Sequence, residues 1–352
     1  MPHGRSQSPI RLMIVDDSVV ARAVFSRMLA PRPEFEVIGE AAHAVEALDL
    51  LERIEVDVIL LDLAMPGMDG LTALPALIAK ARGARVLIVS SACEDGAEEA
   101  VRALTLGAAD TLPKPGTASF GGRFADVLAE RLIRIAGEGK AAVQLARPLG
   151  QQKLARRDPI ECLAIGASTG GLHALAAFFA ALPASFSAPI LVTQHLPEMF
   201  MPYFASQLSG MAQRPAAIAR DGSRLVAGEI VVAPGDAHLR LVRTADAVRV
   251  RLDRTPAASG CLPSVDPMFD SLATLFGNSA VAVVLSGMGR DGVIGASSVI
   301  EGGGELIAQD EQSSVVWGMP GAVANAGLAQ AILPPAAIAA HIARRMDQPA
   351  WR

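Results

Sequence analysis

The chain has 352 residues, 51% of them hydrophobic and 4% aromatic, and a formal net charge of -5. That length accommodates two domains of ordinary size. The apolar content excludes a disordered chain, and the acidic balance with few aromatics argues against nucleic acid as a partner.

Three cysteines, Cys93, Cys162 and Cys261, fit no zinc spacing and no disulfide framework, which suits a reducing, cytoplasmic setting. The N-terminal MPHGRSQSPI lacks the apolar core of a signal peptide. Residues 174–192 and 317–340 are uncharged, but prolines and glycines interrupt both. Neither reads as the roughly 20-residue apolar helix that spans a bilayer, so no direct membrane insertion is expected.

Residues 1–9 read as a disordered tail. From Ile10 short apolar runs alternate with amphipathic ones. IRLMIV is a strand, and SVVARAVFSRML a helix with Val20, Val24 and Met28 at four-residue spacing. FEVIG, VDVILLD, RVLIVS and AADTL are the following strands. Helices fall over HAVEALDLLERI and from about Leu71, Glu94 and Arg123. The alternation predicts a five-stranded parallel (βα)5 domain over residues 10–136.

Residues 137–158, GEGKAAVQLARPLGQQKLARRD, carry five basic and two acidic residues without a clean period and read as a linker. A second alternating series fills residues 159–349. Its strand candidates are ECLAIG, APILVT, EIVVAP, VRVRL, AVAVVLSG and GGELIAQ, with helical ALAAFF and MFDSLATLF between some of them. This predicts a Rossmann-like α/β sandwich with a mostly parallel sheet. The tail from residue 332 reads as a helix with a frayed end.

Asp16 and Asp17 follow the first strand of the N-terminal domain and Asp62 the third. Parallel strands open on one edge, so the three carboxylates converge, and a hard divalent ion such as Mg2+ relieves their repulsion. Ser90 closes the fourth strand and Lys114 follows the fifth, adding a hydroxyl and a cation. This set suits attack of Asp62 on the phosphorus of a phosphoryl donor. DDS at 16–18, LLDLAMPGMDG at 60–70, VSS at 89–91 and KP at 114–115 make residues 10–135 resemble a response-regulator receiver domain. The resemblance implies phosphorylation of Asp62 by a histidine kinase. It also implies magnesium held by Asp16, Asp17, Asp62 and the backbone carbonyl of Ala64, where many receivers carry glutamate. Ser90 and Lys114 would act as switch residues.

In the second domain, Gly166-Ala167-Ser168-Thr169-Gly170 fits the G-x-S-x-G elbow. Alone, the motif suits a nucleophile, an anion-binding loop at a helix N-terminus, or a cap. His195 directly follows the strand PILVTQ, one crossover from Ser168, and can serve as its base. His173, five residues past Ser168, points away from it more often than toward it. Asp291, in the glycine-rich loop after AVAVVLSG, can orient the imidazole.

IGASTGG at 165–171, VTQHLP at 192–197 and APGDAHL at 233–239 recur in the expected order with PSVDPMFDSLA at 263–273, LSGMGRDG at 285–292 and AQDEQSSVVWGMP at 308–320. Together they make this half similar to the chemotaxis protein-glutamate methylesterase family. The resemblance implies Ser168 as nucleophile, His195 as base and Asp291 as orienting acid. Thr169 and Gly170 would shape the site, and Met288 would lend its backbone amide to the oxyanion. Arg290 stands where the family often has asparagine. The implied substrate is a glutamate methyl ester on a methyl-accepting chemoreceptor, with receptor glutamine as a second one, and no cofactor is implied for the esterase. Control by the receiver would follow from phosphorylation. Two other readings stay open: the same triad acting on a different ester, and a receiver-regulated noncatalytic or nucleotide-binding module.

Overall fold

The first sheet is built around inner strands that are apolar on both faces. In a computed structural model, which describes residues 8–90, 94–114, 122–137 and 158–346, β1 (Ile10–Val15), β2 (Phe35–Ala41), β3 (Val58–Leu61), β4 (Arg85–Ser90) and β5 (Asp110–Pro113) pair in parallel in the order β2-β1-β3-β4-β5. All four residues of β3 are buried, as a strand covered by helices on both faces requires. The helices are α1 (Val19–Leu29), α2 (Ala44–Leu50), α3 (Gly70–Lys80), α4 (Glu94–Thr105) and α5 (Gly122–Gly137). Ser18 caps α1 by accepting from the Ala21 amide at 3.2 Å, and Asp69 caps α3 by accepting from Thr72 at 2.6 Å. The helix expected over 43–54 is shorter: His43 Nδ1 accepts from the Glu46 amide and starts it, and turns follow Leu50.

The chain divides into two units, Met1–Ala141 and Ala142–Arg352. In the second, β6 (Cys162–Ala167), β7 (Ile190–Gln194), β8 (Ala216–Ile218), β9 (Ile230–Val232), β12 (Ala280–Val284), β13 (Glu305–Gln309) and β14 (Ala331–Leu333) form one parallel sheet, ordered β14-β13-β12-β6-β7-β9-β8. The chain runs outward from β6 in one direction through β7 and in the other through β12. Both neighbours of β6 therefore end beside it at a topological switch point, where crevices open.

VRVRL does not join this sheet. β10 (His238–Arg243) and β11 (Val248–Asp253) form a separate antiparallel hairpin. The valine-arginine alternation is the reason: such a strand has one face for a core and one for water. That core is α8 (Val265–Phe276). Its Met268, Phe269 and Leu272 are fully buried between hairpin residues Leu239 and Leu241 and sheet residues Ala282 and Val284. The remaining helices are α6 (Gly171–Ala181), α7 (Met201–Ala212), α9 (Val293–Glu301), α10 (Met319–Asn325) and α11 (Pro335–Met346). The expected helix at the C-terminus is α11; the frayed end, the tail before residue 8, most of the linker and Cys93 lie outside the described residues. No described helix is long and apolar enough to cross a membrane.

Candidate active site and receiver cluster

Three adjacent strands deliver the three predicted residues of the second unit. Ser168 follows β6, His195 follows β7, and Asp291 lies in the loop after β12. Register fixes their approach. Ala167 pairs with Gln194, and the His195 amide donates to the Ala167 carbonyl at 3.1 Å. On the other side the Ser168 amide donates to the Ser286 carbonyl at 3.0 Å. The turn after Ser168 needs Gly170, whose φ is +74°; a Cβ there would sit 2.3 Å from Val315 Cβ. α6 begins at Gly171, whose amide donates to the Ser168 carbonyl at 2.8 Å, so the amide end of the helix faces the serine loop. Thr169 is buried, and Met288 is half-buried in the loop that carries Asp291.

The structure brings His195 and Asp291 into direct contact, Nε2 to Oδ2 at 2.8 Å. Burial pushes the Asp291 carboxyl up, but hydrogen bonds from His195, Ser264 and Val265 outweigh it and hold its pKa at about 2. An ionised carboxylate only accepts, so Nε2 carries the proton it donates and Nδ1 is left as the acceptor of the ring.

Several supporting residues were not assigned from sequence. Ser264 Oγ donates to Asp291 Oδ1 at 2.6 Å, and the Val265 amide donates to Oδ2 at 2.7 Å. His238 is buried: its Nδ1 accepts from the Ser264 amide at 2.8 Å, and Nε2 donates to the Thr255 carbonyl at 2.9 Å. Gln194 Nε2 donates to the Ser168 carbonyl at 2.8 Å, and Gln309 Oε1 accepts from the Ser286 amide at 2.7 Å. Asp266 Oδ1 accepts from the Gly295 amide at 2.8 Å. Burial, with the neighbouring Asp291 charge, raises its pKa to about 6. Ser264 and Asp266 sit in PSVDPMFDSLA, a stretch with no ligand-type spacing of its own, so only the fold shows their task.

In the first unit, Lys114 Nζ contacts Asp62 Oδ2 at 2.6 Å and Asp16 Oδ2 at 2.7 Å. Asp16, Asp62 and Ser90 are buried and Asp17 is exposed. Burial raises the Asp62 pKa against the pull of Lys114. Burial also disfavours the Lys114 ammonium, but its bonds to Asp16 and Asp62 win and its pKa is raised. The Lys114 amide donates to the Ser90 carbonyl at 2.6 Å, which joins the two predicted switch positions through the backbone. One oxygen each of Asp16, Asp17 and Asp62 lies within 4.8 Å of the others. These are hard oxygen donors and fit a magnesium ion, with Lys114 now supplying the counter-charge.

A carboxylate cluster on one parallel sheet, and a serine, an imidazole and a carboxylate at the switch point of another, define a receiver joined to an α/β hydrolytic enzyme. Comparison with known proteins makes this particular. The response regulator receiver domain model matches residues 12–119 and the CheB methylesterase model residues 163–342. The chain belongs to the CheB methylesterase family. The Bradyrhizobium diazoefficiens protein-glutamate methylesterase/protein-glutamine glutaminase of group 2 operon is 40% identical over 97% of this chain and 95% of its own. The Caulobacter vibrioides protein-glutamate methylesterase/protein-glutamine glutaminase 2 is 43% identical over 96% and 99%. The crystal structure of the Thermotoga maritima CheB methylesterase catalytic domain matches with a TM-score of 0.51 and 35% identity, covering 53% of this chain and 99% of that one.

Proposed function

We propose that the chain is a phosphorylation-controlled serine esterase that hydrolyses glutamate methyl esters on chemoreceptors and deamidates receptor glutamine. The observation that carries this is the His195–Asp291 contact of 2.8 Å at the strand ends that flank Ser168. His195 Nδ1 takes the proton of Ser168 Oγ as the oxygen attacks the ester carbonyl. The oxyanion forms at the amide end of α6 beside the Met288 loop, with Thr169 and Gly170 shaping the turn. The imidazolium, stabilised by Asp291, returns its proton to the departing methanol. Water, deprotonated in turn by His195, cleaves the acyl-enzyme and frees the glutamate carboxylate. For glutamine the leaving group is ammonia, which needs the same proton more, so ester cleavage is the faster reaction.

In the receiver, Asp62 accepts a phosphoryl group from a histidine kinase. Asp16, Asp17, Asp62 and the Ala64 carbonyl would hold Mg2+, which when bound offsets charge on the transferring group. Lys114 pairs with the phosphorylated side chain, and Ser90 reports the change to its own sheet edge. The substrate segment and the kinase output are cytoplasmic, and so is the enzyme in this reading.

The test is methanol release from methyl-labelled receptor fragments. Wild type releases methanol faster with a small phosphoryl donor and Mg2+, and Ser168→Ala releases none above the uncatalysed rate. Release by Ser168→Ala at the wild-type rate would end this reading.

A further inference from the structure

Cys261 takes no part in the chemistry above, yet it sits beside it. It lies between β11 and α8, three residues before Ser264, and is half-buried. The other described cysteine, Cys162, is inert: it is fully buried in β6, and burial pushes its thiol far above the ordinary range. Cys261 Sγ, one ring nitrogen of His195 and one carboxylate oxygen of Asp291 all lie within 4.8 Å of one another. No linear motif brings them together, since they are contributed by three separate loops.

The donor set is diagnostic. A thiolate, an imidazole and a carboxylate suit zinc and its cobalt(II) stand-in, and poorly suit magnesium. Bond lengths of about 2.0–2.3 Å place the donors of a tetrahedral zinc site roughly 3.3–3.8 Å apart. The three donor atoms lie within 4.8 Å of one another. Cys261 Sγ, which contacts the Ser259 carbonyl at 4.0 Å, turns inward, and where Nε2 and Oδ2 are the donors the ion takes the place of the proton between them, parting them from their 2.8 Å contact. The support around the donors is already built. Ser264 Oγ and the Val265 amide hold the Asp291 carboxylate, and His238 holds Ser264. His195 keeps 16% of its side chain exposed, so an ion reaches the site from solvent, and the fourth coordination position stays open to water.

We propose that His195, Cys261 and Asp291 form a reversible zinc site that switches the esterase off. Binding replaces the thiol proton of Cys261, which is released to solvent, with the metal. The block does not depend on which imidazole nitrogen is used. Metal on Nδ1 occupies the lone pair that would take the Ser168 proton. Metal on Nε2 sends the ring proton to Nδ1, which then donates instead of accepting. The inhibitory half rests on the proposed role of His195, whereas metal binding does not.

The experiment uses the full chain, stripped with a chelator. Cobalt(II) is titrated and the thiolate-to-metal charge-transfer band followed, then zinc is titrated against methyl-ester hydrolysis in excess Mg2+. Wild type is expected to give the band, to lose turnover at micromolar zinc, and to recover it on chelation. Cys261→Ser and Cys261→Ala are expected to lose the band and to need more zinc for the same inhibition, by at least the roughly 10–100-fold that loss of a ligand's supporting partner costs. No band in wild type, or a band that survives in both variants, overturns the site. A band with undiminished turnover overturns the inhibition; Ser168→Ala, assayed alongside, then shows whether the triad itself stands. An unchanged zinc response in both variants overturns the proposal whatever the spectra show.

Discussion

Asp291 accepts from Ser264, Val265 and His195 at once, and those three donors keep it ionised in a buried loop. An amide in its place presents the wrong group to at least one donor. Asp291→Asn is expected to lower kcat about 10⁴-fold, with KM far less affected, because in the proposed mechanism the imidazole would then offer Ser168 the wrong tautomer; steady-state ester kinetics check this. Asp266, its neighbour, runs the opposite way. Its folded pKa of about 6 lies above the ordinary aspartate value. Between these values the folded state binds more protons than the unfolded state, so stability falls as pH rises through about 4 to 6. Above 6 the full penalty remains. Asp266→Asn keeps the acceptor for the Gly295 amide and removes the charge. Its Tm is expected to exceed that of wild type above about pH 6, and the gain to vanish below about pH 4; calorimetry across that range decides. For Asp291, with its pKa held at about 2, the stabilising contribution is complete above the ordinary carboxylate range and is lost only as pH falls toward 2.

The element that builds the site is the turn from β6 into α6. Gly170 combines a left-handed backbone with contact on two sides, Val315 Cβ and Ser286 Oγ lying 2.3 and 2.8 Å from where its Cβ would be. Gly170→Ala is expected to cost about 1–2 kcal/mol for the backbone and about 1–3 kcal/mol for overpacking. Because the strain falls one peptide away from Thr169, kcat should drop in material that is still folded, as denaturant titration alongside turnover would reveal. That turn was legible in the sequence because small residues framed Ser168 between an apolar strand and an apolar helix. The strands carrying His195 and Asp291 were legible for the same reason, being short apolar runs. β8 and β14 were not, since three-residue edge strands are too short to show a period. Nor was the β10–β11 hairpin, whose pairing depends on α8 arriving later in the chain to cover its apolar face. The bracing of Asp291 by Ser264 and His238, and the closeness of Cys261, are long-range contacts with no local pattern to announce them.

At the scale of the whole chain, the receiver and the esterase each have a parallel sheet of their own, so any control must be a coupling free energy between two units. The receiver end of that coupling is concrete. Lys114 bridges Asp16 and Asp62, and its amide is tied to the Ser90 carbonyl. On the proposed reading, a phosphoryl group on Asp62 would add charge and acceptor oxygens where Lys114 now meets a bare carboxylate, and so would displace the balance at the β4 and β5 ends. Tenfold activation would require only about 1.4 kcal/mol of differential stabilisation, within the range typical of coupled sites. Asp62→Asn keeps the shape and removes the acceptor. With a small phosphoryl donor and Mg2+, this variant is expected to show no rise in methyl-ester turnover, while wild type rises. Lys114→Ala should take up phosphoryl label yet show a weakened rise, since the group that reads the new charge is gone. Label incorporation and turnover measured on the same samples separate these cases. A rise in Asp62→Asn equal to that of wild type would place the control elsewhere in the chain.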